Sequence, residues 1–146
     1  MPRPSKSIAS CCLAVLVALY VVGAVSHGSL RHEVQTLPLW IPIVLGFRDR
    51  EVAKWFALPC LIFWLGIVIF IWLFLLGWAR ILTGHYSPTE ILMTLIIGAA
   101  CLFGIVASIR WRTRLRPLPV IASIALSAIL QLVAFRVSLL PYIAHQ

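Results

Sequence analysis

From Trp55 to Trp78 the chain carries no charged side chain. A helix rises about 1.5 Å per residue, so this run can reach across the roughly 30 Å hydrocarbon core of a bilayer. In lipid its backbone is satisfied internally and its apolar side chains need no partner, which water would not allow. Three further runs are long and mostly apolar: Ile8 to Val25, Glu90 to Ile109, and Leu118 to about Leu140, with Glu90 and Arg136 their only charged residues. With 62% of residues apolar and 11% charged, the composition lies far outside the soluble range. The expected fold is an all-α integral membrane bundle of four transmembrane helices. Its spans fall at about 8–26, 55–79, 88–109 and 118–140, within one membrane domain over residues 1–146.

Between the first two spans, Leu37 to Phe47 is apolar but contains Pro38, Pro42 and Gly46. Eleven helical residues reach only about 16 Å, so a short re-entrant or interfacial segment anchored by Trp40 is expected there. The charged cluster Arg48-Asp49-Arg50-Glu51 follows, with Asp49 as the expected N-cap of the next span.

The formal net charge of +8 comes from Lys and Arg placed at the borders of the apolar runs. That placement argues for contacts with a bilayer of anionic headgroups and against nucleic acid. Arg110 to Arg116, with four arginines, is the strongest orientation signal and is expected to face the cytoplasm from the inner (plasma) membrane. With four crossings, residues 27–54 share that side and both chain ends lie opposite. Were residues 37–47 to cross, nine basic residues would stand against three and the start of the chain would join the basic side; the short reach of the segment favours four crossings. Arg3, Lys6 and Ala24-Val25-Ser26 also have the pattern of a cleaved leader, but the orientation it implies conflicts with the downstream charges.

The polar hinge Arg80 to Glu90 separates the second and third spans. Ser87-Pro88-Thr89-Glu90 is a capping box with proline at the first helical position, which fixes a helix start at Ser87. Gly84 is the expected C-cap of the incoming helix. Arg80, His85, Tyr86 and Glu90 form a candidate headgroup site beside a helix N-terminus. Arg80, His85 and Glu90 are similar in order to the third signature of the membrane phosphatidic-acid phosphatase family, Arg-x5-His-x3-Asp. Their spacing and acid differ, and the family's two other signatures have no counterpart, so membership is not supported.

Other chemistries find less support. His27, His32, His85 and His145 stand near span ends, where no facing pair can hold haem. Glu33, Asp49, Glu51 and Glu90 lie outside the span interiors, which argues against a proton-coupled exporter. Cys11, Cys12, Cys60 and Cys101 sit in apolar runs without a Cys-x-x-Cys pair and are expected to be packed thiols. No metal or cofactor is expected.

Helix packing is foreshadowed by small and polar residues at near-regular spacing. Ala100, Gly104 and Ser108 make a ridge on the third span, Ser123, Ser127 and Gln131 a polar stripe on the fourth, and Ser10, Ala14 and Ala18 a ridge on the first. These three spans are expected to pack together and leave the aromatic-rich second span at the perimeter. The leading functional expectation is a noncatalytic assembly or accessory subunit that packs against itself, as a homo-oligomer, or against a membrane-protein partner. The alternatives are a lipid-headgroup binder or lipid-modifying enzyme using the hinge, and a transporter subunit.

Overall fold

The structure, a computed structural model, describes residues 4–26, 29–78 and 86–144. Every regular element in them is helical: α1 (Pro4–Val25), α2 (Ser29–Thr36), a 3-10 turn (Leu37–Leu39), α3 (Trp40–Phe47), α4 (Ala53–Leu75), α5 (Pro88–Arg110), α6 (Pro117–Ser138) and α7 (Pro141–Ala144). α1, α4, α5 and α6 are each long and apolar enough to cross a membrane, and α1 is the most buried of the four. Their outward faces remain apolar, with Phe103 76% and Ile109 72% exposed on α5. Such faces suit lipid as solvent. The protein is a multi-pass membrane bundle.

The segment between the first two spans runs farther than residues 37–47 alone imply. α2, the 3-10 turn and α3 follow one another without a break and descend the length of α1. Near the top, Arg31 and His32 line one cavity with Val22 of α1 and Ser26 just after it. At the bottom, Ser5 Oγ at the start of α1 donates to Asp49 Oδ1 at 2.7 Å. A segment that turned back would not meet both ends of α1. The polar residues Ser29 to Thr36, which form α2, supply the missing length.

Helix ends explain two further differences from expectation. Asp49 does not cap α4, whose N-cap is Val52 with no side-chain bond. It instead takes a positive φ of 54° after α3, where Arg50 N donates to Leu45 O (3.0 Å) and Asp49 N to Gly46 O (3.1 Å). This is the paired-bond C-terminal motif that favours a left-handed residue. The same motif ends α4 at Leu75: Gly77 has φ 75°, Trp78 N donates to Leu73 O (2.9 Å) and Gly77 N to Phe74 O (3.0 Å). α4 therefore stops before residue 79, and Gly84 lies outside the described residues.

Packing order also differs. α4 is central, touching α5, α6, α3 and α1, while α6 packs on α4 and α2 rather than joining α1 and α5. The gap at Gly104 receives a large residue of α4 as well as a small one of α1. A Cβ at Gly104 would lie 2.7 Å from Leu61 Cδ1 of α4 and 3.2 Å from Cys11 Cβ of α1. Across the other face of α4, Ser127 Oγ donates to Phe56 O at 2.7 Å, close to Pro59, which supplies no amide to the helix ladder.

Candidate functional site

A cavity of about 260 Å³ opens at the end of the bundle where α1 ends and α2 and α5 begin. Its polar rim carries Arg31 and His32 from α2, Tyr86 just before α5, and Glu90 in the first turn of α5. Its inner wall is apolar, with Ile67, Val68 and Ile71 of α4 and Ile97 of α5, and aromatic at Trp64 and Phe135.

Local structure fixes the rim. The capping box forms: Ser87 N donates to Glu90 Oε2 at 2.6 Å and Glu90 N donates to Ser87 Oγ at 3.3 Å. The Glu90 carboxylate is thereby pinned at the mouth. Tyr86 packs its ring on Phe74, with centroids 6.0 Å apart. Burial pushes the Tyr86 hydroxyl pKa up, the nearby Glu90 charge adds to this, and Arg31 opposes it. Burial and then the Arg31 charge draw the His32 pKa down, with Glu90 and Gln35 opposing.

Deeper in, polar groups of the cavity wall divide into bonded and unbonded sets. Trp72 Nε1 donates to Thr94 Oγ1 at 3.1 Å, and Gln35 Nε2 donates to Ser138 Oγ at 2.9 Å. Trp64, only 3% exposed, has no hydrogen-bond partner for its buried indole Nε1 among the described residues, and the same holds for Arg31 Nε and His32 Nδ1. Buried polar atoms of this kind cost about 1–3 kcal/mol each when unmade, and two of the three, Trp64 Nε1 and Arg31 Nε, are donors that a ligand's acceptor atoms would satisfy.

Of the hinge residues singled out from sequence, Tyr86 and Glu90 line this cavity, whereas Arg80 and His85 lie outside the described residues. Arg31, His32, Gln35 and Trp64 were missed. Trp64 sits in an unbroken apolar run and gives no signal in one dimension, and the polar α2 could be placed near the hinge only once α2 and α5's first turn were known to line one cavity.

The packing residues occupy other ground. Gly104 and Ser108 are buried, with Ser108 Oγ donating to Gly104 O at 2.8 Å, and Ala100 is half-buried. Ser123 Oγ donates to Pro119 O at 2.7 Å. Gln131 Nε2 donates to Gln35 O at 3.2 Å, and Ser127 lies 3.4 Å from Cys60 Sγ. All four cysteines are free thiols. Among the described residues no group of three His, Cys, Asp or Glu side chains could hold a metal. Compared with family models, curated proteins and solved structures, the chain matches none.

Proposed function

We propose that this membrane protein binds the polar head of an amphiphile in the α1–α2–α4–α5 cavity, with the apolar tail continuing along Val68, Ile71 and Ile97 toward lipid. The observation that carries the reading is Trp64: a nearly fully buried indole N–H without a partner, on a wall that joins a charged rim to an apolar interior. Polar rim and greasy interior in one concavity are the usual makings of a ligand site. The assembly reading draws less support, because Gly104, Ser108, Ser127 and Gln131 spend their small or polar surfaces inside the chain.

Orientation belongs to the same proposal. Lys6, Arg48, Arg50, Lys54, Arg110, Arg112, Arg114 and Arg116 gather at the end of the bundle where α1 starts, and among the described residues only Arg31 and Arg136 stand at the other. The basic end then faces the cytoplasm and anionic headgroups, and the cavity opens at the opposite surface.

The test is native mass spectrometry of the full chain released from mild detergent with its native lipids. The wild type is expected to retain an amphiphile that Trp64→Phe and Arg31→Gln lose, with helical circular dichroism unchanged. Equal retention by all three proteins would remove the proposal.

A further inference from the structure

The geometry points to an uncharged head group for the ligand of this cavity, a planar ring bearing carbonyl oxygens, as in a lipid-soluble quinone. The inference rests on the amphiphile-site reading above and sharpens it.

The unpartnered atoms set the ligand's hydrogen-bonding sense. Trp64 Nε1 and Arg31 Nε both carry hydrogens and can only donate, so the ligand must present acceptors. Carbonyl, carboxylate and phosphate oxygens all qualify on that ground. Charge then separates them. Among the described residues the rim holds one fixed cation, Arg31, and one fixed anion, Glu90, and these offset each other. The anion cannot swing away, because its Oε2 takes the Ser87 amide at 2.6 Å. An anionic head would therefore lie beside a tethered carboxylate in a partly desolvated cleft, where like charges repel far more than in water. His32 does not restore a positive surplus, since burial and Arg31 favour its neutral form. A carbonyl accepts the same hydrogen bonds without this repulsion.

Shape supports the choice. Trp64, Tyr86 and Phe135 bring aromatic surfaces to one cavity, which suits a flat ring. Its volume of about 260 Å³ falls just under the range for drug-sized ligands, so it takes a ring-sized head and the first atoms of one tail rather than a two-chain lipid.

The experiment uses the full chain in nanodiscs of zwitterionic lipid, titrated by calorimetry with decylubiquinone, dodecyl phosphate and laurate. Decylubiquinone is expected to bind about tenfold more tightly than either anion, and Trp64→Phe to weaken it about tenfold, the loss of one buried hydrogen bond. Glu90→Gln, which keeps the capping box available, is expected to strengthen dodecyl phosphate several-fold and so narrow the preference. If dodecyl phosphate or laurate matches or exceeds decylubiquinone in the wild type, the uncharged head is overturned while the site stands. If none of the three binds, or decylubiquinone binds equally to wild type, Trp64→Phe and Glu90→Gln with helicity retained, the site itself is overturned.

Discussion

Ser5 and Asp49, forty-four positions apart, meet through a 2.7 Å hydrogen bond that ties the start of α1 to the end of α3. The contact is possible only because the chain returns the full length of α1 between them. It also brings the basic stretch after α3 to the end of the bundle that holds Lys54, which donates to Trp111 O at 2.6 Å.

One consequence is topological. The chain makes five passes through the bundle, so the start of α1 and the end of α6 lie at opposite ends. In a cysteine-free background, Lys6→Cys and Leu140→Cys are expected to react with a membrane-impermeant maleimide from opposite sides of sealed vesicles. Labelling of both from one side would return the segment to a re-entrant path.

The descent of α3 along α1 depends on Gly46. A Cβ there would lie 2.7 Å from Ala9 Cβ and 2.8 Å from Ser5 O, neither of which can swing aside. At Gly104 the nearest obstacle is the tip of Leu61, a flexible side chain. Helix propensity alone favours alanine over glycine by about 1 kcal/mol at either position. Gly46→Ala is expected to lose about 1–3 kcal/mol in a denaturing-detergent titration despite that gain, and Gly104→Ala to stay within about 1 kcal/mol. The reverse order would mean that α1 and α3 do not make this close approach.

These positions show what could be read in advance and what could not. The four spans follow from hydropathy, and the Ser87–Glu90 box follows from four adjacent residues whose only plausible use is a helix start. Small-residue ridges were legible as packing surfaces, but sequence does not say whether a gap such as Gly104 receives another gap or a projecting Leu61. The pass through α2 and α3 was hidden because its polar half lacks hydropathy and its apolar half lacks length. Half of the rim was hidden for the same reason, since Arg31 and His32 sit on that polar half. Trp64 differs from its aromatic neighbours only by the direction it faces.

Lys54 closes the far end of α5. Its Nζ reaches Trp111 O at 2.6 Å and Ser108 O at 3.4 Å and lies 4.2 Å from the centre of the Trp55 ring. A cation on the last carbonyls of a helix is favoured by the dipole and by their unmet acceptor capacity. Lys54→Met keeps the stem and removes the donor. It is expected to cost about 1–3 kcal/mol in the same titration and to speed hydrogen exchange in the last turn of α5. An unchanged midpoint would show that water serves those carbonyls equally well.

His32 links the cavity to pH. Its imidazole is buried beside Arg31, and those two causes, in that order, lower its pKa against the weaker pull of Glu90 and Gln35. Tyr86, also at the rim, is shifted upward and stays neutral through this range. The folded state therefore binds a proton at His32 less readily than the unfolded chain does. Its full contribution to stability is present above the ordinary histidine value near 6.5 and is lost as pH falls through that value toward the folded one. The thermal midpoint is expected to drop between about pH 7.5 and about pH 5.5, and His32→Gln to flatten that drop. A wild-type midpoint that stays level on acidification, or an equal drop in His32→Gln, would place the imidazole in open contact with water and detach it from the cavity wall.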